Sequence, residues 1–344
     1  MVAPFSALGA SDPSVTRPGF RILALDGGGI KGAFTAKLLA EWEANTKQRI
    51  VDHFDLIAGT STGGIIALGL GLGLPAKDIL KFYQEHGPRI FPNVGWARKK
   101  LLSVRHFFRP KYAQGALQIA LQQVFQDKKL GHAKTRLLIT TYDAIAGRIF
   151  LIKTAHHELF KYDYQQSAVE VALATSAAPT FFDFAEFEGH EKALYLDGGV
   201  WANNPTLAAV CEAHHFLKVP LDQVDVLSVG TTRVPPHTVA RMQRGWLGLL
   251  PPGQLHWFRH ILGLMLNAQM ETSLAVAELL TKGRVFRVDE TVPDGWFSLD
   301  AIEQIGNMVA LARGLAVKRE ILSTVEQRFL NGVHAESFTP CYAA

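Results

Sequence analysis

The sequence predicts an α/β fold in three layers: a mainly parallel central sheet with helices on both faces, followed by a helical C-terminal extension. Three observations carry this. Short apolar runs alternate with stretches of helical period through the first two thirds of the chain, the pattern of a parallel sheet covered on both sides. Two of those runs end in glycine-rich turns that open straight into a helical pattern. From residue 254 onward the period is mainly helical.

Taken in order, residues 1–18 are rich in Ser, Pro and small side chains without period and read as a flexible arm. The run at 21–26, RILALD, reads as a strand, and Phe34, Leu38, Leu39 and Trp42 then share one face of a helix over 30–46. FDLIAG at 54–59 repeats the unit, with a turn at 60–62 and a buried helix over 63–74. Further strands are expected at 136–142, 148–153, 194–197 and 224–230, with helices at 115–125, 167–177 and 206–217 between them. Residues 262–280 and 300–329 read as helices separated by a short strand at 285–288. The organisation expected is an arm (1–18), a catalytic domain (19–232) and a mainly helical extension (233–344) packed on it, with a Pro- and Gly-rich surface excursion over 234–253.

Composition narrows the function classes. The 344 residues are 48% hydrophobic and 19% charged, below the roughly 25% charged of an average soluble domain, which excludes a disordered chain and allows a large core. Two cysteines, Cys211 and Cys341, form neither a disulfide framework nor a metal-ligand pattern, so a reducing, cytoplasmic setting without metal is expected. No signal peptide and no uninterrupted apolar span long enough to cross a bilayer is evident. A net charge of +4 is too mild to make the chain a binder of nucleic-acid polymers.

Gly59-Thr60-Ser61-Thr62-Gly63 has the G-x-S-x-G form where a strand gives way to a helix, the setting in which small flanking residues let a serine project above the sheet edge. The positive end of the helix there favours a developing anion. Asp26-Gly27-Gly28-Gly29-Ile30-Lys31-Gly32 presents successive backbone amides at another helix start, a nest able to hold an oxyanion. Gly27, Gly29 and Gly32 also satisfy G-x-G-x-x-G, so a dinucleotide-binding sensor is the rival from another class, although no acidic residue closes the next strand. A P-loop is excluded because Lys31 precedes Gly32 and no Ser or Thr follows in place. Two bases are open to Ser61. Asp197-Gly198-Gly199 ends an apolar strand and would bring a carboxylate to the same C-terminal sheet edge. A hydrolase triad would instead draw on a late histidine among His214, His215, His237, His256, His260 and His334.

DGGGIKG at 26–32, GTSTG at 59–63 and DGG at 197–199, in this order and each after a strand, resemble the patatin-like phospholipases, supported by Ser176-Ala177-Ala178-Pro179, Asn203-Asn204-Pro205 and Ser228-Val229-Gly230-Thr231. The resemblance covers about residues 20–232 and departs at Lys31, where the family carries Arg and a planar fork is lost. It implies a three-layer patatin-like fold and hydrolysis of membrane phospholipid acyl esters by a Ser-Asp dyad without cofactor. Ser61 would be the nucleophile and Asp197 its base. The oxyanion hole would form at Gly27, Gly28 and Gly29, with Gly27 shaping the loop and Lys31, Gly59 and Gly63 in support. For a carboxyl to serve as base, burial should raise its pKa toward working pH.

Two weaker features remain. Between Arg89 and Tyr112 stand seven basic side chains, Arg98, Lys99, Lys100 and Arg105 among them, with no acidic one; they would face anionic lipid or a phosphate-bearing ligand, or form a solvated basic face. The stretch 246–266 reads either as a lid or as core. Overall length, this basic segment and Trp296-Phe297-Ser298-Leu299-Asp300 look similar to bacterial patatin-like effectors switched on by cyclic dinucleotides (cGAMP) in CBASS anti-phage defence. That resemblance implies a cyclic-dinucleotide activator held by the four basic residues, membrane phospholipids as substrate with peripheral contact at the inner membrane, and a homo-oligomer.

Overall fold

At the centre of the sheet lies β1 (Phe20–Leu25), apolar on both faces from Ile22 onward because helices cover both. It pairs in parallel with β2 (Leu56–Thr60) on one side and with β6 (Val224–Val229) on the other. Beyond β2 comes β3 (Arg136–Asp143), also parallel, and the sheet order is β4-β3-β2-β1-β6-β7 with β5 hung on β3. Here β4 is Arg148–Lys153, β5 is Tyr195–Asp197 and β7 is Val285–Val288. The sequence reading located every strand, but β4 and β5 run antiparallel to β3. For β4 the reason is length: residues 144–147 can close a hairpin and are too few for a crossover. The C-terminal extension is more than helical, since β7 joins the sheet in parallel with β6. This computed structural model describes residues 19–92, 111–188, 193–233, 254–293 and 296–344, with side chains of the helix that begins at Gln254 described from 263 onward.

The helices are α1 (Gly32–Thr46), α2 (Thr62–Gly71), α3 (Ala76–Ile90), α4 (Gln114–Phe125), α5 (Ala168–Thr175), α6 (Gly199–Ala202), α7 (Thr206–His215), α8 (Gln254–Leu280), α9 (Ile305–Ala316) and α10 (Arg319–Thr324). Leu23, Leu25, Ile57, Leu137 and Ile139 point from the sheet into the larger core, built with α1 to α5 and α9. Ile22, Ala24, Leu56, Ala58, Leu138 and Val226 point to the other face, against Ala209, Val210 and Ala213 of α7 and Ala277 of α8. The alternation is the two-residue period of a strand covered on both sides.

Three helical expectations change. α3 was not anticipated, although Ile79, Leu80, Phe82, Tyr83, Gly87 and Ile90 form its buried face; Pro88 reads as a helix breaker, but it sits two residues from the end of the helix, so the single i→i−4 bond it removes falls where the helix is already ending. α8 starts at Gln254 rather than at 262, directly after Pro251-Pro252-Gly253. The expected helix over 300–329 is split into a 3₁₀ turn, α9, α10 and a π turn over Val325–Phe329.

Candidate active site

Between β2 and α2 the chain turns within one residue. Ser61 adopts φ 54° and ψ −123° at the start of α2 and is 8% exposed, a conformation that costs a residue with a Cβ on the order of 1–3 kcal/mol. The flanking glycines make the turn sterically feasible. A Cβ on Gly59 would overlap the Gly63 carbonyl, and one on Gly63 would overlap the Leu25 and Asp26 carbonyls at the end of β1. The Ser61 amide donates to Thr175 Oγ1 (2.9 Å), whose hydroxyl donates to the Thr140 carbonyl (2.7 Å). Gly63→Ala is therefore expected to destabilise the protein by roughly 2–3 kcal/mol, read from the denaturant midpoint. Gly115→Ala, in the first turn of α4 with open space around it, should be neutral or slightly stabilising.

Asp197 reaches Ser61 by a route that differs from the expectation of a parallel strand end. Along one edge of β3 the partner changes: Thr140 lies opposite Thr60, the last residue of β2, and the next residue, Thr141, lies opposite Asp197, the last residue of β5. β5 thus occupies the strand position that β2 vacates when it turns at Ser61, and running backwards it delivers Asp197 beside that turn. Threonines pin the junction. Thr60 Oγ1 and Thr140 Oγ1 are 2.7 Å apart, Thr60 donates to the Ala202 carbonyl (2.6 Å), and Thr141 donates to the Leu196 carbonyl (2.6 Å). Sequence reasoning missed these residues, whose only signal is a pair of hydroxyls at the end of an otherwise apolar strand. The Asp197 carboxyl accepts from the Gly199 amide (2.7 Å) and faces the Ser61 hydroxyl. It is 5% exposed, and burial pushes its pKa up to about 6 against the lowering effect of those two donors.

The glycine loop closes the site from β1. Gly29 has φ +58°, and a Cβ there would overlap the Leu299 carbonyl oxygen, which accepts the Ile30 amide (2.9 Å). The Gly27 amide donates to the Asn203 carbonyl (2.9 Å), and the Gly27 carbonyl accepts from Thr231 Oγ1 (2.8 Å). Among the described residues the Gly28 and Gly29 amides have no protein acceptor, and both residues line one cavity with Ser61 and Asp197. Leu299 packs its carbonyl against the loop at Gly29 and Ile30. Lys31 donates to the single Thr232 carbonyl (3.0 Å), a contact that a point donor satisfies without the fork of an arginine.

The rest of that cavity is predominantly apolar, with Ile65, Phe82, Ile90, Phe91, Leu117, Phe181, Phe182 and Leu266 in its lining. It suits an alkyl chain whose polar end lies at Ser61. Among the described residues no histidine lines it: His214 bonds the Val219 carbonyl (3.0 Å), His215 packs on Phe216, and His334 stands edge-on to His53. Arg98, Lys99, Lys100, Arg105 and His237, and the side chains of His256 and His260, lie outside what is described. So do residues 246–253 and the side chains of 254–262; the rest of the 246–266 stretch belongs to α8, where Leu266 lines the cavity while Leu264 and Met265 are exposed. Among the described residues no cluster could hold a metal ion, and no helix is long and apolar enough to cross a membrane.

The profile described as "Patatin-like phospholipase" matches residues 23–210. A cGAMP-activated phospholipase of Pseudomonas aeruginosa is 33% identical over 84% of this chain and 84% of its own length. Its counterpart in Vibrio cholerae is 32% identical over 79% of this chain and 82% of its own, and patatin-like protein 2 of Oryza sativa is 36% identical over 57% and 53%. The profile covers more than half of the chain, a span that includes the glycine loop, the turn at Ser61 and β5: the chain belongs to the patatin-like phospholipase family.

Proposed function

We propose that this protein hydrolyses the acyl esters of membrane phospholipids, with Ser61 as nucleophile and Asp197 as general base. The observation that carries the reading is the buried Ser61–Asp197 pair at the polar end of an apolar cavity. As Ser61 Oγ attacks the ester carbonyl carbon, its proton passes to Asp197, and the carbonyl oxygen becomes an oxyanion within reach of the Gly28 and Gly29 amides. Gly27 shapes the loop, since its own amide is committed to Asn203. Asp197 then gives the proton to the departing lysolipid oxygen as the ester bond breaks. Water attacks the acyl-enzyme, passing a proton to Asp197, and that proton returns to Ser61 Oγ as the fatty acid leaves. A carboxyl with a pKa near 6 is a better base at neutral pH than an ordinary aspartate.

Regulation is the second part of the proposal. Two relatives that match over four fifths of this chain are named for activation by cGAMP, and a cyclic dinucleotide is the activator proposed here, with Arg98, Lys99, Lys100 and Arg105 as its phosphate donors. Exposed Leu264, Met265 and Trp296, in segments that also supply Leu266 and Leu299 to the cavity lining, support peripheral contact with a bilayer from the cytoplasmic side. The test is fatty-acid and lysolipid release from vesicles of fixed composition, by mass spectrometry, with and without a panel of cyclic dinucleotides. Release stimulated by one member is expected. Equal release across the panel would overturn the activator, and no release under any condition would overturn the hydrolase reading.

A further inference from the structure

The glycine loop is tied at both of its ends to Arg287 of β7 and Asp289 just after it, outside the segment matched by the family profile. At its head, Asp26 follows β1 and is 1% exposed. Its carboxylate accepts both arms of the Arg287 guanidinium, Nη1 to Oδ1 at 3.0 Å and Nη2 to Oδ2 at 2.5 Å, and the Asn204 amide at 2.7 Å. Arg287 lies on β7, opposite Ser228 of β6, and also donates to Ser228 Oγ (2.9 Å) and Asp289 (2.9 Å). At the tail of the loop, Lys31 donates to the Thr232 carbonyl (3.0 Å), and the Thr232 amide donates to Asp289 (3.0 Å). A closed circuit, Asp26 to Arg287 to Asp289 to Thr232 to Lys31, therefore fixes where the Gly28 and Gly29 amides point.

We infer that Arg287 is a positioning residue for the oxyanion loop, acting through Asp26. The inference rests on the Ser61 reading above. Physically, a bidentate fork fixes the direction of a carboxylate as well as neutralising it, and a buried carboxylate that loses its counter-charge must take up a proton or move. Burial already favours the protonated form of Asp26, and Arg287 is the main group that opposes it. Either response releases the head of the loop. Because oxyanion donors act more strongly in the transition state than on the bound ester, the cost falls on kcat and leaves KM in place.

The experiment compares Arg287→Lys, Arg287→Met, Asp26→Asn and the double variant Asp26→Asn/Arg287→Met in the full chain, by steady-state kinetics on a soluble acyl ester, by the rate of fluorophosphonate labelling and by denaturant midpoint. Arg287→Lys keeps the charge without the fork and is expected to lose about 10²-fold in kcat and in labelling rate, with KM within twofold of wild type. Arg287→Met is expected to lose more. The double variant, which leaves no unpaired charge at residue 26 and keeps the Thr232 and Glu290 amides on Asp289, is expected to fold and to lose no more than Arg287→Met, because the arginine then has nothing to act through. Wild-type kcat in Arg287→Lys, losses that simply add in the double variant, or a change confined to KM would each overturn the inference. Turnover by Ser61→Ala in the same assay would remove the reading on which it stands, whereas an inactive Ser61→Ala beside a fully active Arg287→Lys would remove the inference alone.

Discussion

Ser61→Ala is expected to lower acyl-ester hydrolysis by about 10⁵-fold or more, since loss of a nucleophile leaves only the binding and oxyanion contributions. The fold should survive, because the Ser61 hydroxyl meets Asp197 at a cavity wall rather than within packed core. A fluorophosphonate probe, whose tetrahedral adduct mimics the charged intermediate, should label the wild type at one site and leave the variant unlabelled. Ser61→Gly should be equally inactive yet somewhat more stable. Relief of the strained backbone at residue 61 returns on the order of 1–3 kcal/mol, offset in part by the roughly 0.5–1 kcal/mol of backbone entropy that glycine loses on folding. Turnover by Ser61→Ala above one part in a hundred of wild type would displace Ser61 as nucleophile.

For Asp197→Asn the expected loss in kcat is about 10⁴-fold, together with a gain in stability at neutral pH. The two effects share one cause. Burial raises the Asp197 pKa from its ordinary value to about 6. An unfolded chain ionises this carboxyl near pH 4, whereas the folded protein resists ionisation until about pH 6. Folding is therefore unpenalised below the unfolded pKa, loses stability as pH rises from about 4 to 6, and carries a constant deficit of ~3 kcal/mol above that. Asparagine removes the charge, so the variant and the wild type should have similar denaturant midpoints near pH 4 and diverge by pH 7.5, with the variant more stable. Activity runs the opposite way. The wild-type rate should rise with pH through about 6 and then level, as the base is freed of its proton, and the residual rate of Asp197→Asn should lack that limb. A wild-type rate flat from pH 5 to 8 would count against Asp197 as the titrating base.

What the linear order of residues determined by itself is the inventory. Strands with apolar side chains on both faces, the glycine spacing around Ser61, and the three motifs were legible because each is a local pattern, set by the two-residue period of a buried strand or by the room a sharp turn requires. α3 was hidden by Pro88, since a breaker in the last turn looks the same in sequence as one in the middle. The meeting of Ser61 with Asp197 belongs to tertiary structure. It depends on β5 taking over the edge of β3 where β2 leaves it, and strand direction and register are set by long-range pairing that no local pattern encodes. The same holds for Leu299 and Arg287. An arginine within VFRV reads as the solvent side of an edge strand, and only the parallel pairing of β7 with β6 turns it toward Asp26. A buried carboxylate at the head of a glycine loop demands a partner, but which distant residue supplies it is decided only when the sheet is assembled.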